Sequence, residues 1–230
     1  RRTALKLGGD KKSDSSGSLD SGISGGSLVE FFDDVVMKRK GSAADAQQTV
    51  NCAYASYDVE KDLITLTGSP SIMADGTTLS GKTITFDQVT QLLTVTGDCR
   101  LETVLEGEGS GTATVESEKM VMNMESNQAE ATGNVRVKDG RGVLLSHRLV
   151  IDFESTGSAD SGLDSSESIG LVGADALNFS SGSKEVKYIR CLDGVTFQGN
   201  NGEHGQAREV DYDYRSGLIT LLGDNPWIRQ

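Results

Sequence analysis

Gly22-Ile23-Ser24-Gly25-Gly26 has the spacing of a nucleophile elbow, the strained turn between a strand and a helix that presents a serine for attack. Here it sits in Gly/Ser-rich sequence with neither element beside it, so it reads as chance composition. Gly107-Glu108-Gly109-Ser110-Gly111 has no following Lys and no helix to present phosphate-binding amides, and reads as a plain loop. The two histidines, His147 and His204, have no second ligand spaced onto the same face. Neither a catalytic triad nor a histidine metal centre is indicated, and both read as surface residues. Cys52, Cys99 and Cys191 lack any C-x-x-C spacing, which argues against a zinc site. One disulfide could form, but the sequence does not choose its pair. Asp58, Asp87 and Asp213 recur at equivalent places in a repeat, which makes them turn residues rather than paired acid–base carboxylates. Met120, Met122 and Met124 alternate along one segment. Their flexible, polarizable side chains suit either an irregular core or a surface that meets varied lipid chains. No cofactor and no enzymatic reaction are implied.

Composition narrows the classes. The 230 residues carry 22 basic and 34 acidic side chains, a net charge of −12. That is the wrong sign for a duplex-binding protein, so no nucleic-acid partner is expected. The hydrophobic share is 36%. Counting the 28 Gly and omitting the 5 Tyr brings it to about 46%, ordinary for a globular domain. With 28 Gly against 2 Pro, tight turns are favoured over Pro-rich linkers. The chain opens on Arg1-Arg2 with no signal-like segment, which reads as a processed or trimmed fragment.

The organisation follows from where apolar residues fall. Residues 1–27 are expected to form a flexible linker, because their Ser- and Gly-rich stretch buries too little apolar surface to offset its ordering entropy. A single domain is expected over 28–230, with a Ser-rich loop insertion at about 155–168. Within it the dominant period is two, as in Thr83-Ile84-Thr85-Phe86-Asp87 and Asn134-Val135-Arg136-Val137-Lys138. This is the pattern of strands with two different faces. Residues 27–40 are ambiguous. Ser27-Leu28-Val29-Glu30 is a capping box, but Asp34-Val35-Val36-Met37-Lys38 resembles the strand at Asn134–Lys138. Strand is the favoured reading.

The chain repeats itself. Tyr57-Asp58 leads to Leu63-Ile64-Thr65-Leu66-Thr67-Gly68, Phe86-Asp87 to Leu92-Leu93-Thr94-Val95-Thr96-Gly97, and Tyr212-Asp213 to Leu218-Ile219-Thr220-Leu221-Leu222-Gly223. Met122-Asn123 to Gly133 is a degenerate copy, Ile151-Asp152 to Gly173 one lengthened by the insertion, and Leu192-Asp193-Gly194 ends a partial one. In each unit the Asp starts a turn, a strand follows, and the Gly closes that strand where the backbone bends or takes positive φ. A second strand follows the Gly, as at Ser71-Ile72-Met73, Arg100-Leu101-Glu102 and Trp227-Ile228. Such a unit cannot hide its apolar face alone, and stacked units bury one continuous interior.

Several copies in one register make the chain resemble the OstA-like family of lipopolysaccharide-transport proteins: LptA, LptC and the periplasmic domain of LptD. The resemblance runs over roughly residues 29–230 and is plainest at 50–97 and 195–228; the units between 98 and 194 are degenerate and the insertion after Phe153 is unusual. It implies an all-β, open β-jellyroll of stacked strand-turn-strand units. It implies a non-enzymatic function in the periplasm of a Gram-negative bacterium, where lipid acyl chains are shielded in an apolar groove on the way to the outer membrane. The lipid-facing set is then Ile64, Leu66, Ile72, Ile84, Phe86, Leu93, Val95, Leu101, Met120, Met122, Met124, Leu149, Ile151, Phe153, Ile219 and Leu221. The partners are lipopolysaccharide, other OstA-like components joined by edge-strand pairing, and further copies of the chain head to tail. The chain stops just inside a new unit, which is expected to leave a strand missing at that edge. Two rivals remain. A structural or adhesive β-solenoid would use the same residues as packing, and a carbohydrate-active solenoid would need a carboxylate pair that nothing in the sequence singles out.

Overall fold

The computed structural model describes residues 28–40, 47–74, 76–105, 111–140, 142–155, 184–213, 216, 218–223 and 225–229. The expected linker 1–27, Gly22–Gly26, nearly all of the insertion at about 155–168 and the copy ending at Gly173 lie outside these residues.

The repeat's turns form as its chemistry requires. Asp58 Oδ1 accepts the Lys61 N–H, Asp87 Oδ1 the Val89 and Thr90 N–H groups, Asn123 Oδ1 those of Glu125 and Ser126, and Asp213 Oδ1 that of Ser216. Three of these turns end on a left-handed residue: Asp62, Gln91 and Asn127, at φ 52°, 54° and 52°. Each turn reverses the chain into an antiparallel neighbour.

All regular structure among the described residues is strand: β1 (Leu28–Lys40), β2 (Gln47–Asp58), β3 (Leu63–Thr67), β4 (Ser71–Ala74), β5 (Thr77–Ser80), β6 (Thr83–Asp87), β7 (Leu92–Leu105), β8 (Gly111–Asn123), β9 (Gln128–Asp139), β10 (Gly142–Ser155), β11 (Lys184–Leu192), β12 (Val195–Gly199), β13 (His204–Ala207), β14 (Glu209–Asp213), β15 (Leu218–Leu222) and β16 (Trp227–Arg229). The ambiguous segment 28–40 is a strand. The Glu30 carboxylate, which the capping box would have spent on a helix, accepts the Tyr54 hydroxyl from across the ladder instead.

The bends follow from pairs of left-handed residues: Asp33-Asp34, Gly68-Ser69, Gly97-Asp98, Gly133-Asn134 and Asp193-Gly194. The sequence pattern predicts that glycine closes a strand. At Gly97 and Gly133 it folds the strand instead, and pairing resumes with the same neighbour after a register shift between Thr96 and Cys99 and between Glu116 and Lys119. Two residues in the left-handed region turn the corner without ending the ladder.

Every bend falls on one line, so the sheet folds into two layers with the same strand order. The first runs through the start of β1, the end of β2, β3, β6, the start of β7, the end of β8, the start of β9, the end of β10, β11, β14 and β15. The second runs through the other half of each bent strand: β1, β2, β4, β5, β7, β8, β9, β10, β12, β13 and β16. All pairings are antiparallel. Among the described residues β1 pairs only with β2, β15 only with β14 and β16 only with β13, so the sheet stays open at both ends. The molecule is an open β-jellyroll of stacked, V-shaped units.

Candidate functional site

Because side chains alternate along a strand, one parity of every strand faces the space between the layers. The register aligns these residues into rows. Along the first layer, one row runs Tyr57, Ile64, Phe86, Leu93, Met122, Ala129, Ile151, Ile189, Tyr212, Ile219. A second, nearer the bend, runs Ala55, Leu66, Ile84, Val95, Met120, Ala131, Leu149, Cys191, Val210, Leu221. Opposite them the second layer contributes Val50, Ile72, Leu79, Leu101, Val115, Val137, Leu144, Phe197, Gly205, Ile228. Buried residues of both layers form one core cluster.

The rows are not equally closed along their length. Ile64, Leu66, Ile72, Ile84, Phe86, Leu93, Val95, Met120 and Leu149 are buried. Leu101, Met122, Met124, Ile151 and Leu221 are half-buried against the cluster. Phe153 is half-buried beyond the end of the row, past a register shift after Asp152. Ile219 lies 59% exposed and Ile228, on the facing layer, 56%. The sequence reading thus names residues that stand on the inward parity of their strands. It omits Leu79, Val115, Val135, Ile189, Cys191, Val195 and Val210. Leu79 is the lone apolar residue in Thr77-Thr78-Leu79-Ser80 and carries no periodic signal. Val135 and Val137 sit in an alternation that marks the strand, and both pack into the core cluster.

Midway along the rows, a void of about 20 Å³ lies between the layers, lined by Leu101 and Val115 on one side and Met120, Met122, Ala129 and Ala131 on the other. That is room for about one water, and its walls are apolar.

Polar groups are tied up elsewhere. Tyr57 donates its hydroxyl to the Asp62 carboxylate, which, with burial, pushes the phenol up to about 12. Both histidines are exposed, their Nδ1 atoms 2.7 Å from the Asp193 carbonyl oxygen and 3.2 Å from that of Gly202. The three cysteines are free and buried. Desolvation raises all three thiols, Cys52 to about 11 and Cys191 to about 12. On the outer face Arg100 reaches Glu102 and Glu116, Arg148 reaches Glu130, and Arg190 reaches Asp152. Among the described residues no group of three or more His, Cys, Asp or Glu is placed to hold a metal. What the interior offers is an uninterrupted apolar surface that closes at one end and opens at the other.

Residues 114–229, half of the chain, match the family described as LptA/(LptD N-terminal domain) LPS transport protein. The chain belongs to this family. The match begins in β8 and ends at β16, so it covers the LptA/LptD-type units in which the rows open. Among solved structures, the chain is similar to LptH of Pseudomonas aeruginosa, the LptA-homologous periplasmic component of the lipopolysaccharide transport device. The identity is 16% and the TM-score 0.41, with 46% of this chain and 75% of that chain covered. No curated protein matches the chain in sequence.

Proposed function

We propose that this chain binds lipopolysaccharide by its acyl chains, between the two layers, and passes it toward the outer membrane across the periplasm of a Gram-negative bacterium. The observation that carries this reading is the set of inward apolar rows, which run from strand to strand along both layers and reach solvent at Ile219 and Ile228. Burial of an acyl chain there is non-directional and contributes about 0.8 kcal/mol per methylene before ordering costs. Such a surface lets a chain slide without breaking specific bonds, so direction comes from an energy source elsewhere. In this reading the inward-facing set from Ile64 to Leu221 is the lipid-facing surface, and no residue acts as a catalyst. With a net charge of −12, the surface repels phosphorylated head groups, which therefore stay outside the groove or are bridged by divalent cations.

The open sheet ends supply the partners. Among the described residues the outer edge of β1 and the edges of β15 and β16 have no strand partner, so their backbone groups can pair with another sheet. Other OstA-like components, or a second copy head to tail, extend the groove across that edge. Such a heterologous contact does not close and gives a ladder of sizes.

A structural solenoid is the second reading, and the dense packing between β2 and β7 favours it. Native mass spectrometry after mild purification separates the two. Co-purified lipopolysaccharide supports transport. A protein that stays lipid-free when mixed with lipopolysaccharide supports the solenoid.

A further inference from the structure

We propose that a cleft on the outer face of β7, β8 and β9 binds a phosphorylated saccharide, its phosphate toward β9 and its hydroxyl or amino groups toward β7. The cleft is on the solvent side of the second layer, so it is separate from the interior and stands independently of the lipid-binding reading above.

The register builds it. Leu101, Val115 and Val137 face inward, so their neighbours face out and align in two rows: Arg100, Glu116, Arg136 and Glu102, Thr114, Lys138. Thr112 follows Thr114 on the same face. Long charged side chains thus stand around two short threonines and enclose about 330 Å³. That volume is in the range of small-ligand sites, but this lining is polar and offers an acyl chain no apolar surface to cover.

The charges are ordered across the cleft. Arg100 donates through Nη1 to Glu116 Oε1 at 2.8 Å, and through Nε and Nη2 to Glu102 Oε2 at 3.2 and 2.7 Å, which holds both carboxylates in place. The cations of β9 are not spent in this way. Arg136 reaches Glu116 Oε2 from one guanidinium nitrogen at 3.6 Å, beyond hydrogen-bond length, and Lys138 makes no ion pair among the described residues. In a chain of net charge −12, three cations against two carboxylates make this cleft locally positive.

That order selects the ligand. A bare inorganic anion would meet Glu102 and Glu116, and an uncharged sugar would leave Arg136 and Lys138 without a partner. A sugar phosphate satisfies both sides. Arg136 and Lys138 take the phosphate in charge-assisted hydrogen bonds, while the carboxylates and the Thr112 and Thr114 hydroxyls take the sugar's donors. Two strand spacings, about 10 Å, separate the sides, which suits a short saccharide.

The test is amide nuclear magnetic resonance on the full chain, titrated with glucosamine 1-phosphate, with deacylated lipopolysaccharide, and with glucosamine and inorganic phosphate as separate controls. Shifts at Thr112, Thr114, Arg136 and Lys138 with either phosphorylated saccharide, and none at inward Ile84 or Leu149, are expected. The double variant Arg136→Gln/Lys138→Gln alters two exposed side chains and should weaken binding about tenfold or more. Arg148→Gln, on the outer face of the first layer, should leave affinity within about twofold. Tighter binding of deacylated lipopolysaccharide assigns the cleft to a lipid head group, and tighter binding of glucosamine 1-phosphate to a free sugar phosphate; both support the site. Glucosamine or inorganic phosphate binding as tightly as the phosphorylated saccharides overturns the proposal. So does an equal loss in Arg148→Gln, or the absence of shifts at the cleft. None of these failures touches the lipid-binding reading, because no probe here carries an acyl chain.

Discussion

Between β2 and β7 the inward rows are filled by Tyr57, Ile64, Phe86 and Leu93, and by Leu66, Ile84 and Val95, nearly all of them inaccessible to solvent. Between β8 and β16 the first row, in the same register and parity, carries Met122, Ala129, Ile151 and Ile219 and opens toward solvent, while the row nearer the bend stays buried at Met120, Ala131, Leu149, Cys191 and Val210. The bends and turns are of one kind in both regions, built from left-handed pairs and Asx side chains. The contrast separates two jobs that one repeat performs. The turn and bend residues make the V-shaped unit, and the bulk of the inward side chains decides whether the V is a packed wall or a trough.

The largest effect should come from truncating equivalent positions in the two regions. Phe86→Ala is expected to cost about 3–5 kcal/mol, because it leaves a cavity in a filled row. Ile219→Ala, in the same row, should cost under about 1 kcal/mol, because most of that side chain is already in water. Urea denaturation of both variants measures the difference, and equal losses would erase the distinction between wall and trough.

The bends offer a finer comparison. A methyl group at Gly68 (φ +76°) would lie 2.4 Å from the Ala53 Cβ, which cannot turn aside. At Gly133 (φ +79°) it would meet the Glu118 side chain, where the carboxylate can swing away and only the Cβ at 2.8 Å must give. Gly68→Ala should therefore lose about 2–3 kcal/mol and Gly133→Ala about 1 kcal/mol, read as a difference in thermal or urea midpoints.

The thiols sharpen the contrast further. Burial raises the pKa of each, so at pH 8 few are thiolates and alkylation of the folded protein should be slow. Cys191 lines the trough and should react as that region opens locally, ahead of Cys52 and Cys99, which should react only on global unfolding. Mass mapping of alkylated peptides over time gives the order, and bound lipid should protect Cys191 alone. The smallest effect belongs to the outer face. Breaking the exposed Arg148–Glu130 pair should cost about 0.5 kcal/mol or less in a double-mutant cycle, declining with added salt.

Much of the fold can be read in the residues. The alternation in Thr83–Asp87 places Ile84 and Phe86 inward, and the repeat-linked Asp58, Asp87 and Asp213 accept turn N–H groups as expected. Segment 28–40 was harder, because a capping box and a strand pattern competed. The left-handed Asp33-Asp34 pair and the ladder to β2 decide it, and both depend on a partner far along the chain. The degree of closure was not legible at all. Ile64 and Ile219 occupy equivalent places in near-identical segments, Leu63–Thr67 and Leu218–Leu222, yet one is buried and the other exposed. The difference comes from what stands across the gap and beside the row, which no local pattern records. Leu79 was missed for a related reason: its burial comes from neighbours Ile72 and Leu101 on flanking strands, not from its own threonine-rich surroundings.

The central claim is that lipopolysaccharide lies against the inward face of the trough, and face parity tests it most directly. Met122 points between the layers, and its neighbour Val121 points to the outer face, opposite Thr94 and Glu130. A photo-crosslinking residue is placed at one position or the other, folding is checked by circular dichroism, and the protein is irradiated with lipopolysaccharide. Capture at 122 and not at 121 is the expected result. Equal capture at both positions, or none at either in a folded protein, would contradict it.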